Sequence, residues 1–334
     1  MASETDRKGL SILIPTYNNV CAELVRALQH QASAQEGLAF EVLVADDGSS
    51  HRATVKANRE AISRLEHCRY IERETNVGRA RIRNFLAREA QFEWLLFMDS
   101  DMVVRDDCYV ARYVDVIRKA AQETGMPPVF YGGYSIGHAR EANPDMALER
   151  NLRYLFECRS PQNADPQLRE QHPYGDFHTS NFLVSRQVML EHPLDERFVH
   201  YGYEDVLWGK TLAEHDVTVR HVANPLSFEH FESNMLFVEK TEESLRTLHY
   251  FRHELASCSR LIPVAKRLRR LLVVYPLVRL LYPLVSLPLK AGLPGASPRM
   301  FLFNLYKLLY YIHLDFHDER RFLHAAWDMM IKAE

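Results

Sequence analysis

Two carboxylates one residue apart, Asp99 and Asp101, close a short apolar run that begins at Trp94. Leu95, Leu96, Phe97 and Met98 are consecutive and uncharged, the pattern of a buried strand. Open α/β sheets bind ligands beyond the carboxyl ends of their strands. Acids placed there beside apolar neighbours are costly unless a cation or hydrogen-bond donors meet them. Hard oxygen ligands suit Mg²⁺ or Mn²⁺, which commonly bridge a diphosphate. The plain alternative is a strand-end turn with solvated acids, because Asp-x-Asp is a short pattern. A second acidic pair, Glu204 and Asp205, follows Gly202 at an expected helix start, with Val206, Leu207 and Leu212 expected on the buried side. A carboxylate there can take the proton of an attacking hydroxyl. Acids also gather at helix starts simply because the dipole favours them.

These residues need elements to hold them. Residues 10–14 read as a strand stopped by Pro15, followed by the polar Thr16, Tyr17, Asn18 and Asn19. A helix is expected over 20–31, and a strand over 40–45 runs into Asp46, Asp47, Gly48, Ser49 and Ser50. A helix over 51–66 and a short strand at Tyr70 and Ile71 lead to the loop at Asn76 and a helix ending near Ala90. Strands alternating with helices predict a mainly parallel sheet. Asp46 and Asp47 could accept hydrogen bonds from a base or ribose. Arg79, Arg81 and Arg83 offer forks that match diphosphate oxygens. Taken singly, Asp-Asp-Gly-Ser is also an ordinary turn, and the arginines an ordinary solvated face.

Beyond the Asp-x-Asp run, a helix is expected over 106–124 and a strand and turn over 129–134. Residues 138–172 are polar, with one helical piece over 145–158; they read as a binding loop or a surface insertion.

The chain has 334 residues, room for one large domain or two smaller ones, and its net charge of −3 argues against a nucleic-acid binder. Residues 255–314 hold nine Lys or Arg and no acid, so that segment carries +9 and the remainder −12. Five scattered cysteines read as reduced thiols of a cytoplasmic protein. The polar first eight residues lack a signal peptide's apolar core. From Val264, helical spacing puts Val264, Ala265, Leu268, Leu271, Leu272 and Tyr275 on one arc and Lys266, Arg267, Arg269 and Arg270 on the other, as in an interfacial helix. The apolar run 273–289 contains Arg279 and three prolines, which argues against a spanning helix. A second apolar stretch occupies 300–312. The expectation is peripheral attachment of residues 260–290 to the anionic inner face of a membrane; the alternative is a helical subdomain packed on the core.

Ile-Pro-Thr-Tyr-Asn-Asn from Ile14, Asp-Asp-Gly-Ser-Ser from Asp46, Asn76-x-Gly-x-x-x-x-Arg83-Asn84, Asp99-Ser-Asp101 and aromatic-Gly-Tyr-Glu204-Asp205 occur in this order. Over roughly residues 9–250 the set resembles family 2 of the nucleotide-sugar-dependent glycosyltransferases. The resemblance implies an α/β GT-A domain over 1–255, with residues 256–334 as a helical extension. It implies inverting, metal-dependent transfer from a UDP sugar to a glycan or lipid-linked acceptor, in surface polysaccharide or glycolipid assembly.

By the same resemblance Pro15, Thr16, Tyr17, Asp47, Arg83 and Asp99 meet the nucleotide, Asp47 at the base. Asp101 and Asp99, completed by His230 or else His221, hold Mn²⁺ or Mg²⁺. Thr179, Ser180 and Asn181 are candidates for sugar hydroxyls, or for hydrogen bonds within a turn. Asp205 is the expected proton acceptor, with Glu204 binding the acceptor or sharing the pocket. Trp208 is either a sugar-stacking face or a core residue. Ala45 departs from the family pattern harmlessly. A nucleotidyltransferase is the first rival, but Pro15, Thr16 and Tyr17 stand where its glycine-rich phosphate loop belongs. A non-catalytic sugar-nucleotide-binding protein is the second, and the intact acids argue against it.

Overall fold

The computed structural model describes residues 8–270 and 298–314, together with residues 278, 282, 284, 286, 287 and 290–292. The first seven residues, the expected arc members Leu271, Leu272 and Tyr275, and most of the run 273–289 lie outside the described residues. The chain divides into two compact units, one of residues 1–146, 160–199 and 204–230, the other of residues 147–159, 200–203 and 231 onward.

The first unit starts as β1 (Leu10–Thr16), α1 (Ala22–Ser33), β2 (Phe40–Asp46), α2 (Arg52–Ile62), β3 (Cys68–Glu72), α3 (Arg79–Glu89) and β4 (Trp94–Met98). β2 and β4 are buried at every residue and β1 at all but one. Near-continuous apolar runs of this kind belong to strands covered on both faces. Leu24, Val25, Leu28 and Ala32 form the buried stripe of α1, spaced as a helix face must be. Then come β5 (Met102–Val103), α4 (Tyr109–Ala120), β6 (Val129–Tyr131), β7 (Tyr134–Ser135) and α5 (Ala139–Ala142). α6 (Leu152–Glu157) belongs to the second unit. α7 (Pro166–Arg169), β8 (Asn181–Ser185), α8 (Arg186–Glu191), α9 (Glu204–Glu214), β9 (Val219–His221) and β10 (Leu226–Phe228) complete the first.

Seven strands form one sheet in the order β3-β2-β1-β4-β8-β6-β9, parallel except for β8, which is antiparallel to both neighbours. A second, three-stranded sheet, β5-β10-β7, was not legible in the sequence. Chain order runs from β1 outward to β3 and then returns to β4 on the other side of β1. The crevice beyond the carboxyl ends of β1 and β4 is therefore the topological switch point.

β1 does not stop at Pro15, as expected, but runs through it to Thr16. Thr16 O accepts from Asp47 N–H, so even-numbered β1 residues bond β2 and Pro15 faces the β4 side. Pairing with β4 ends at Leu13, so the missing N–H of Pro15 breaks no ladder bond.

The single helix expected over 145–158 is broken instead, with a 3₁₀ turn at Leu148–Arg150 followed by α6. Asn151 is the reason: its backbone is extended and its side chain accepts from Tyr154 N–H, capping a new helix.

The second unit contains α10 (Asn234–Tyr250), α11 (Leu261–Arg269) and a helix over 300–314. The sequence pattern places α10 over 241–257; it starts seven residues earlier because Ser233 caps it, accepting from Leu236 N–H. Leu152 of α6, Phe237 and Val238 of α10, and Met300, Phe303 and Tyr306 form one buried cluster. Tyr306 Oη donates to Glu242 at 2.5 Å. The second unit thus begins before residue 255, because α10 shares its core with the apolar stretch near residue 300.

In α11, Ile262 and Ala265 are buried whereas Val264 is 46% exposed. This corrects the expected arc: the buried apolar side is centred on Ile262 and Ala265, and Lys266, Arg267, Arg269 and Arg270 face solvent with Val264. No helix among the described residues is long and apolar enough to cross a membrane.

Candidate active site

Asn18 and Asn19 stitch together the loops around the switch point. Asn18, at φ +52°, donates its N–H to Ser49 Oγ at 2.7 Å, and its Oδ1 accepts from His51 N–H at 3.0 Å. Asn19 Nδ2 donates to Ser100 O, between the two acids after β4, at 2.7 Å. Thr16 is buried with its hydroxyl on Asn19 O, Pro15 is half-buried, and Tyr17 stays exposed.

The acids after β2 have different tasks. Asp46 builds its own turn, accepting from Ser49 N–H and Ser49 Oγ, both at 2.7 Å, and from Tyr70 Oη at 2.9 Å. Asp47 reaches the next loop, where Val77 N–H and Gly78 N–H donate to it at 2.9 and 3.1 Å. Burial raises the Asp47 carboxyl above the usual range despite these donors. Gly78, at φ +91°, cannot carry a side chain, since a Cβ there would lie 2.7 Å from Val199 O.

α3 supplies two arginines rather than three. Arg79 and Arg83 are one turn apart and share a face, whereas Arg81 points to solvent and pairs with Glu196 at 3.6 Å. Arg83 is 2% exposed; its Nη2 binds Asp99 Oδ1, and its Nη1 donates to Arg79 O at 3.0 Å. Arg79 bridges two carboxylates, with Nη2 3.2 Å from Asp99 Oδ2 and Nε 2.8 Å from Glu204 Oε1. One guanidinium thus joins the carboxyl end of β4 to the start of α9.

Glu204, Trp208 and Leu212 form the buried stripe of α9, so Val206 and Leu207 are less covered than expected. Asp205 Oδ1 accepts from Val206 N–H at 2.8 Å, and Oδ2 lies 3.0 Å from His178 Nδ1. The neighbouring acids are pushed apart. Burial drives the Glu204 carboxyl upward against the pull of Arg79. Burial also acts on Asp205, but the hydrogen bond and charge of His178, together with Arg79, outweigh it and hold Asp205 below the usual range. Such divergence separates the roles of two carboxylates.

Several expected contacts are corrected. Trp208 is 2% exposed, packs against Phe177 and Phe182, and donates Nε1–H to His192 O, so it is a core residue with no face for a sugar. Asn181 is wholly buried and saturated, accepting from Tyr109 and Tyr113 hydroxyls and donating to Gly133 O and Asn224 O. Thr179 is buried, and Ser180 is buried beside Asp99, whose N–H donates to Ser180 O at 3.2 Å.

His221 is held between Arg169 Nε and Pro173 O, and burial lowers its proton affinity. Glu229 turns inward onto Arg105, whereas the next residue, His230, is exposed. Among the described residues no three His, Cys, Asp or Glu side chains gather as a metal-binding group, so His230 does not complete a preformed shell with Asp99 and Asp101. Both Asp99 oxygens already meet arginines. A Mg²⁺-type site nevertheless needs only one or two carboxylates, with substrate phosphates and water supplying the rest. Asp101, in the turn after β4, fits that pattern.

Sequence reasoning named Arg79 only as one of three and passed over His178. The four-residue spacing of Arg79 and Arg83 would have singled them out. Nothing local marks His178, whose partner lies 27 residues away.

A mainly parallel sheet flanked by helices, with its acidic crevice at the switch point, is the GT-A arrangement. The sequence profile of glycosyl transferase family 2 matches residues 11–189, more than half of the chain, and the protein belongs to that family. An uncharacterized glycosyltransferase of Haemophilus influenzae is 32% identical over 114 residues, a match spanning 34% of this chain and 35% of that protein. Among solved structures, the mannosyltransferase PcManGT from Pyrobaculum calidifontis, in complex with GDP-Man and Mn²⁺, superposes with TM-score 0.53 at 13% identity, over 92% of this chain and 85% of its own. Residues 1–349 of S. aureus TarS give TM-score 0.49 at 15% identity, over 93% of this chain and 92% of theirs.

Proposed function

We propose that the protein transfers a sugar, with inversion, from a nucleoside diphosphate donor of the UDP series to a hydroxyl of a glycan or lipid-linked acceptor, in assembly of a surface polysaccharide or glycolipid. The observation that carries this reading is the Arg79 bridge between Asp99 and Glu204. It brings the strand ends suited to a nucleotide into one crevice with the acids suited to a proton. Asp47 and the loop after β1 lie on the base and ribose side. Arg79 and Arg83 present positive charge where a diphosphate departs. Asp205, held ionised, takes the acceptor proton; Glu204, buried against Arg79, orders the acceptor side. A divalent cation, Mn²⁺ or Mg²⁺, would be held by Asp101 with help from Asp99, and when bound supplies charge stabilisation to the leaving diphosphate.

The test is a thermal-shift screen of nucleotide sugars with and without Mn²⁺, followed by transfer assays with the stabilising donors. Stabilisation by UDP sugars that grows with Mn²⁺ is the expected result. Tight binding without transfer or hydrolysis across the panel would instead indicate a non-catalytic sugar-nucleotide-binding protein.

The same proposal places the protein at the cytoplasmic face of an anionic membrane, attached through residues 260–290. Its support is the +9 charge of residues 255–314, the basic exposed side of α11, and exposed Leu284 and Leu287. Basic residues near an anionic surface contribute about 1 kcal/mol each, an attraction that salt screens. The protein is expected to float with anionic vesicles at low salt and to be released at high salt. Failure to float at low salt, or flotation unchanged by Lys266/Arg267/Arg269/Arg270→Glu, would remove the membrane from the proposal.

A further inference from the structure

His178 stands in the loop before β8, with its Nδ1 3.0 Å from Asp205 Oδ2. The contact joins two distant parts of the first unit. Its side chain is 36% exposed and that of Asp205 19% exposed, so both reach solvent and neither is sealed in the core. The ring is held on its other sides by Tyr131, edge-on at 6.1 Å, and Tyr134 at 6.3 Å. The second Asp205 oxygen is fixed by Val206 N–H. Donors from two separate segments therefore set the plane of this carboxylate.

We propose that His178 is a positioning residue for transfer: its Nδ1–H holds the Asp205 carboxylate in the orientation that receives the acceptor proton, and protonation of the ring, which keeps that hydrogen bond, weakens the carboxylate as a base. The proposal rests on Asp205 being the proton acceptor. An ionised carboxylate facing Nδ1 requires the proton to sit on that nitrogen, in the neutral ring as in the cation. With the neutral ring, Asp205 is oriented yet keeps its affinity for a proton. With the cation, the full ion pair that keeps Asp205 ionised also lowers that affinity, so the carboxylate is a weaker base. In the step itself the acceptor O–H bond breaks and its proton goes to Asp205. The acceptor oxygen forms the new bond to the anomeric carbon, and the old bond leaves with its electron pair on the diphosphate oxygen.

The other groups bearing on the pair are Glu204 and Arg79 on the Asp205 side, and the Tyr131 and Tyr134 rings on the histidine side. Arg169 and His221 stand behind Tyr131. The arginines stay charged and the tyrosines neutral between pH 5 and 8.

The test is the pH dependence of kcat/KM for wild type, His178→Gln and His178→Ala. Wild type is expected to lose activity on the acid side as the ring takes up its second proton. Gln keeps an N–H donor but does not titrate. It should retain transfer within about tenfold at pH 8, with the acid limb moved down toward the carboxylate range near pH 4. Ala should lower kcat about 100-fold with donor KM changed less than about twofold. A merely structural histidine would not move the acid limb. A limb unchanged in His178→Gln, while wild type transfers sugar, overturns the positioning role alone. If wild type transfers nothing, the catalytic reading itself falls and the proposal falls with it. NMR titration of the ring in the intact protein checks the pair without catalysis: Asp205→Asn should shift the His178 midpoint, and no shift overturns the contact.

Discussion

Asp205→Asn is expected to reduce sugar transfer by about 10³-fold or more while leaving nucleotide binding within about twofold. The amide preserves the shape of the carboxylate and can keep the hydrogen bond to His178, but it cannot take a proton. Glu204 cannot replace it. That carboxyl is 4% exposed, faces Arg79, and is pushed by burial toward its protonated form. The measurement is kcat for transfer beside calorimetric binding of UDP. Because Asp205 sits at the α9 end of the Arg79 bridge and not among the loops after β1 and β2, the two quantities should separate. Equal loss of both would mean that Asp205 shapes the donor site. Transfer within tenfold of wild type would mean that the proton goes elsewhere.

Arg83→Leu is expected to destabilise the first unit by about 3 kcal/mol, because breaking a buried ion pair leaves the remaining charge poorly compensated. For a unit of this size that corresponds to a fall in melting temperature of roughly 6–12 °C. Arg83 is 2% exposed, and it binds both the Asp99 carboxylate and the Arg79 carbonyl. Removing it leaves Asp99 with Arg79, which is 35% exposed and already shared with Glu204. Adding Asp99→Asn to Arg83→Leu should therefore recover part of the loss, a non-additivity that a double-mutant cycle reads directly. Full additivity, or a change in melting temperature below about 2 °C, would show that the pair is not a structural contact. Both variants can be scored by thermal unfolding alone, so this result does not depend on the proposed reaction.

The strands carrying the site were legible because apolar runs bounded by polar or glycine-rich loops have few other uses. β1, β2 and β4 fall where the sequence placed them, with Asp47 and Asp99 just beyond the ends of β2 and β4. Errors arose where a side chain rather than periodicity decided the outcome. Asn151 and Ser233 moved helix boundaries by capping, and Pro15 stayed in its strand because its missing N–H faced no partner. From the sequence Trp208 is either a sugar-stacking face or a core residue, and Asn181 either a sugar contact or a hydrogen-bonding residue of a turn. Their burial depended on Phe177, Tyr109, Tyr113 and Asn224, none of which is a sequence neighbour.

The amino-acid sequence by itself determined the alternation of strands and helices, the family, and the acids that close β4 and open α9. Those follow from short-range periodicity and from motifs a few residues long. Only the tertiary structure decided what each charge meets. Arg79 lies 20 residues from Asp99 and still farther from Glu204, and its guanidinium reaches both. His178 meets Asp205 only because the loop before β8 and the start of α9 converge. The physical reason is that electrostatics acts through space: a carboxylate's proton affinity is set by the charges, donors and burial within a few ångströms, and chain folding, not chain order, supplies those neighbours.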